Sequence, residues 1–179
     1  RFSTPTDEQY PSMVELFSRA PQGISLGEEQ HIVPVPGDDG SEGLSAILLD
    51  DEYHRYVADH HRLYDGIRFA TPDALIMLKA RAWTDLTARR RGGATVDRAD
   101  IDKHRNDVFR LAALLPADPG PLLPPSLARD LASFLAGFPE KAEAWVAICD
   151  AVRPAFGRRI DAPTLLTAVH RYFGLPRSR

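Results

Sequence analysis

Cysteine is almost absent from this chain. Cys149 stands alone, which excludes an intrachain disulfide framework and fits a reducing compartment. No apolar run approaches the ~18 residues that a membrane-spanning helix needs, and the first residues carry no signal-peptide pattern, so a soluble, cytoplasmic protein is expected. Charge of one sign is not in excess either. A formal net charge of −3 and a pI near 6.1 give no global pull toward nucleic acid or membrane, so any nucleotide contact has to come from a local site. Lysine is scarce: of 22 basic residues only Lys79, Lys103 and Lys141 are lysines, and each therefore merits separate inspection. The chain also lacks GxxxxGK[ST], GxGxxG and HExxH, leaving P-loop, dinucleotide-fold and zincin readings without support.

What is present suffices for one good core. At 179 residues and 44% hydrophobic content the chain can bury one domain with a modest helical extension. Met13-Val14-Glu15-Leu16-Phe17 reads as a strand, bounded by Pro11 and by a turn cluster from Arg19 to Gly23. Ile32-Val33-Pro34-Val35-Pro36 reads as a second, confined to a sheet edge because each proline removes a ladder donor. After a polar loop over residues 37–43, the continuous apolar run from Leu44 to Leu49 suits a strand buried on both faces. Asp50-Asp51-Glu52 then favours the start of a helix over 51–61. Asp65-Gly66 marks a turn, and Ile67 to Ala70 a short strand.

Thr71-Pro72-Asp73 opens the longest helix, with Thr71 as N-cap, and Gly92-Gly93 closes it. Another helix starts near Asp97 and ends before Pro116. A proline-rich linker occupies 116–126, and helical segments follow over 127–136, 140–152 and 162–173. The expected organisation is an α+β domain over 1–115, the linker over 116–126, and a C-terminal helical extension over 127–179.

Three places could carry chemistry. Winding the long helix at ~100° per residue puts Leu75, Leu78, Ala82 and Leu86 on one stripe with Lys79 inside it. That lysine either snorkels and pairs or faces a ligand. On the next helix, Ile101, Val108, Ala112 and Leu115 form the core stripe, with His104 near its edge and Asp107 at the border with solvent. Lys103 and Asp107 are four apart and suited to an ordinary surface pair. Glu15 shares a strand face with Met13 and Phe17; it is either a charge guarding a sheet edge or one carboxylate of a Mg2+-holding set. His54, His60 and His61 are close in sequence but lack the carboxylate–histidine spacing of a metal site, and Arg89-Arg90-Arg91 suits a solvated helix end.

Met13 to Arg19, Leu44 to Asp51, the helix from Pro72 through Lys79 to Trp83, and Asp102-Lys103-His104-Arg105-Asn106-Asp107-Val108-Phe109-Arg110-Leu111 together resemble the AbiEii/AbiGii-type nucleotidyltransferase-like family. The likeness runs over about residues 1–115, and its most specific part is the lysine helix followed by the Lys-His-x-x-Asp helix. That family is similar to the DNA polymerase β-like nucleotidyltransferases, so the resemblance implies a partial mixed sheet with flanking helices. It further implies transfer of a nucleoside monophosphate from an NTP, with Mg2+ at the triphosphate and an RNA acceptor or an antitoxin protein as partner. Lys79, with Lys103 nearby, would bind phosphate. Asp107 would position Lys79 or the acceptor, and Glu15 would be the third, strand-borne metal carboxylate. The Gly-Ser turn with its Asp-x-Asp pair, which such enzymes use to hold the metals, does not occur here. The expectation is that it precedes Arg1 in a longer protein and that the present chain alone is inactive. The alternative from another class is a degenerate fold that binds a nucleotide, RNA or protein without chemistry.

Overall fold

The computed structural model describes residues 2–3, 13–14, 16–19, 32–35 and 44–176. The fold is α+β, with six helices and small sheets among the described residues. The chain divides into two compact units, residues 1–58 and 59–179.

The first unit holds the mixed sheet. Strand β1 (Phe2–Ser3) pairs antiparallel with β2 (Met13–Val14). Strands β3 (Leu16–Arg19), β4 (Ile32–Val35) and β5 (Leu44–Leu49) form a second sheet in the order β3-β5-β4. Its centre is β5, which ends in the apolar run Ala46 to Leu49. β5 runs parallel to β3 and antiparallel to β4. Pro34 sits on β4, an edge strand, where a missing donor costs the ladder nothing. The parallel β3–β5 pair needs a crossover connection, and β4 lies within it. Helix α1 (Asp51–Asp59) follows β5 directly, and the Asp50 carboxylate accepts from the Tyr53 amide at 3.0 Å, satisfying one free donor of the first turn. Asp51 also takes both arms of Arg19, at 2.6 and 2.9 Å, which ties the end of β3 to the start of α1. Glu15 and the loop over 37–43 lie outside the described residues.

The second unit begins with a hairpin. β6 (His61–Tyr64) and β7 (Ile67–Ala70) pair antiparallel with Tyr64 opposite Ile67. The two-residue turn has φ of 49° at Asp65 and 78° at Gly66, the paired positive values of a type I′ turn that Asp-Gly favours. The helix expected over 51–61 therefore stops at Asp59, and residues 61–64 form a strand instead. The tight turn supplies β7 with a partner, and pairing across it overrides the helical pattern upstream.

Five helices complete the unit: α2 (Pro72–Arg91), α3 (Arg98–Ala112), α4 (Pro125–Ala136), α5 (Trp145–Phe156) and α6 (Ala162–Tyr172). Asp97 and Asp161 cap α3 and α6 by accepting amide hydrogen bonds at 2.9 Å. Thr71 stands at the N-cap of α2 as expected, but its hydroxyl makes no capping bond and donates to the His60 carbonyl at 2.9 Å. α2 packs against α3 and α4, and α3 against α5 and α6, so helices on both sides of residues 116–126 share one core. Within that segment the Gly120 amide donates to the Tyr172 carbonyl at 2.8 Å.

The buried face of α2 differs from the expected stripe. Ala74, Ile76, Met77 and Ala80 are fully buried, whereas Leu75, Leu78, Ala82 and Leu86 are half-buried. A helix that packs against two neighbours is apolar around much of its circumference, so a single stripe is poorly defined by spacing alone. On α3, Val108 and Ala112 are buried as expected and Phe109 joins them, while Ile101 and Leu115 are half-buried.

Candidate functional site

The lysine of α2 and the Lys-His-x-x-Asp segment of α3 meet where these helices pack. Lys79 is half-buried. Its ammonium is close enough to act on His104, whose imidazole is held below its ordinary value, first by burial and then by the Lys79 charge. Lys103 adds to that depression, and the carboxylates of Asp107 and Asp100 oppose it. His104 Nδ1 is fully buried and makes no hydrogen bond, an unusual state for a ring nitrogen. Two ammonium groups and a low-affinity imidazole thus gather around one junction of α2 and α3.

Asp107 has a different partner from the one expected. Its Oδ1 accepts from Arg110 Nη1 at 2.6 Å, and Arg110 Nη2 reaches the Ala151 carbonyl of α5 at 3.2 Å. The carboxylate therefore helps dock α3 on α5 while acting on His104 through space. Lys103 is exposed. Glu15, the expected metal carboxylate, is outside the described residues, so its place beside Lys79 is an expectation only. Among the described residues no group of three or more His, Cys, Asp or Glu side chains converges on one point. Of the charged groups that act on His104, Lys79 and Lys103 would attract an anion, and Asp100 and Asp107 would repel one.

The His104 environment has a consequence for stability. Its folded-state pKa lies below the unfolded value near 6.5, so the unfolded chain binds the proton more readily. Stability is then greatest above that value and falls as pH drops through it, levelling off below the folded pKa. In urea unfolding at pH 8 and pH 5, His104→Leu should gain on the native protein as pH falls, on the order of 1 kcal/mol for each unit of depression removed. A difference between the two proteins that does not change with pH would refute this.

A second polar cluster was not anticipated from the sequence. His60 Nδ1 and Asp73 Oδ2 form a close contact, with 16% and 8% of their side chains exposed. Burial alone would raise the Asp73 carboxyl, but its polar neighbours Thr71 and His60 and its own backbone amide outweigh it, and the net shift is downward. Tyr172 completes the group: burial lifts its phenol, and the nearby Asp73 charge adds to the rise. The available signal was Asp73 itself, a carboxylate in the first turn of α2 on the side that the core closes over. Its histidine partner is 13 residues away, on the far side of a hairpin whose first strand was not foreseen.

No helix among the described residues is long and apolar enough to cross a membrane. Comparison with protein-family models, with curated proteins and with solved structures gave no match to this chain.

Proposed function

We propose that this chain is part of a cytoplasmic nucleotidyltransferase that moves a nucleoside monophosphate from an NTP to an acceptor, and that the α2–α3 junction binds the triphosphate. The observation that carries the proposal is the packing of α2, which bears Lys79, on α3, which bears Lys103, His104 and Asp107. The two segments that bear the resemblance most specifically are separate in sequence, yet they pack against each other.

Within this reading Lys79 donates to a phosphate oxygen as a point charge on a flexible stem. A neutral His104 avoids placing a further buried cation beside it, and Lys103 adds an exposed ammonium at the rim. Asp107, engaged with Arg110, holds α3 in register with α5 and thereby acts as a positioning residue. The resemblance assigns Mg2+ to carboxylates outside the described residues, Glu15 among them, so the role of the residues described here is confined to binding and orienting the anion.

The test uses the protein from its complete reading frame, incubated with labelled NTPs, Mg2+ and bulk tRNA as first acceptor. Lys79→Ala should label the acceptor ~10²-fold more slowly than wild type, the scale expected when one donor to developing phosphate charge is lost. Lys141→Ala, an exposed lysine elsewhere in the unit, serves as the control and should label normally. Equal rates for Lys79→Ala and wild type would remove Lys79 from the chemistry. Nuclear magnetic resonance titration supplies a readout that needs no turnover: Lys79→Met should raise the His104 pKa.

A further inference from the structure

The β6–β7 hairpin carries the largest concentration of exposed apolar side chains among the described residues. Leu63, Tyr64, Ile67 and Phe69 are 67%, 76%, 60% and 50% exposed. Isolated apolar residues on a surface need no explanation, but four large ones within seven positions of a two-stranded ribbon do. Such a ribbon is marginal in water unless something covers it. Its base is nonetheless firmly set, because the Thr71 amide and hydroxyl both donate to the His60 carbonyl and His60 contacts Asp73. Neither outer edge of the hairpin has a strand partner among the described residues.

From these features we infer that the hairpin is a docking strand for an extended segment of a protein partner in which apolar residues alternate with Asp or Glu. The argument for an edge-added strand comes from the register. Arg62 faces Phe69, and Tyr64 faces Ile67, so these four share one face of the ribbon; Leu63 and Arg68 share the other. A helix or a stack of bases laid on the face of Tyr64, Ile67 and Phe69 would leave Leu63 on the other face wet. An added strand sends its own side chains alternately to both faces and meets Leu63 as well.

Charge selects the kind of strand. Arg62 and Arg68 are opposed within the hairpin by Asp65 alone, although the chain as a whole is net −3. Along β7, Arg68 lies between Ile67 and Phe69, so a partner strand there reads apolar, acidic, apolar. A second copy of this hairpin would instead bring arginine against arginine, and like charges directly opposite are unfavourable.

The full chain is panned against a displayed library of random decapeptides, and the best binder is synthesised with a fluorescent label. Enrichment of proline-free peptides with alternating apolar and acidic residues is expected. The labelled binder should bind the Arg62→Glu/Arg68→Glu variant about 10-fold more weakly, as two reversed cross-strand charge pairs imply. Its charge-reversed counterpart should regain binding to that variant. Circular dichroism and melting confirm that the variant is folded; both substitutions are at exposed positions. The inference is overturned if nothing is enriched, if the enriched peptides bind the variant equally well, or if proline at their centre leaves binding unchanged. It is also overturned if sedimentation shows a dimer that the two substitutions dissolve, or if a labelled single-stranded uridine decamer binds through Tyr64 while no peptide does. None of these outcomes depends on nucleotidyl transfer.

Discussion

Phe109→Ala should lower the stability of the helical unit by about 3–5 kcal/mol, the usual range for deleting a buried aromatic ring. Phe109 has no exposed surface. Its ring centroid lies 4.7 Å from Trp145, 5.5 Å from Phe138 and 5.7 Å from Phe134, at inclined angles suited to edge-to-face contact. Trp83 closes the same cluster from α2, 5.1 Å from Phe134 and 5.0 Å from Phe138. Removing the central ring would therefore strip contacts from α4, α5 and the turn after α4 at once, and three large neighbours cannot all collapse into one void. Phe109→Leu keeps most of the volume and should cost under about 1.5 kcal/mol. The chain has two tryptophans, Trp83 and Trp145, and both border this cluster. Intrinsic fluorescence during urea unfolding consequently reports on this unit alone. A loss below about 1 kcal/mol for Phe109→Ala would mean that the cluster is not where the stability resides.

How much of this was legible in the sequence varies with the range over which each signal acts. The strand at Leu44–Leu49, the Asp65-Gly66 turn and the starts of α2 and α3 follow from local chemistry: an apolar run, a turn dipeptide, a proline at the first helical position and an aspartate cap. Strand β6 did not follow, because His61-Arg62-Leu63-Tyr64 becomes a strand only through its register with β7. α5 also continues past Val152 to Phe156, with Pro154 tolerated in its last turn. At the candidate site, the expected stripe around Lys79 is not the buried face of α2, and Lys79 itself is half-buried. That Asp107 would engage Arg110, one turn away on its own helix, could have been read from the i,i+3 spacing. The depressed His104 could not, since it depends on how α2 and α3 are rotated against each other, and several apolar faces of α2 were compatible with the sequence.

Asp73→Ala should destabilise the same unit by about 1–3 kcal/mol, because it removes the hydrogen-bond partner of the buried His60 Nδ1. The contact with His60 joins the first turn of α2 to the base of the hairpin, and Tyr172 at the end of α6 is near enough to sense the carboxylate. The pH dependence gives the assignment its sign. The Asp73 carboxyl is held below 3.8, so its contribution is complete above the unfolded value and is lost as pH falls through the folded one. The difference between wild type and variant should accordingly shrink in strong acid. If the difference were the same at every pH, the effect would be one of packing and not of charge. His60→Ala and the double variant complete a cycle in which the two losses should be strongly non-additive. Amide exchange then separates the local from the global consequence: with Asp73 removed, β6 and β7 should lose protection before α3 does, because the hairpin has little buried surface of its own and depends on this contact and on Thr71 for its attachment.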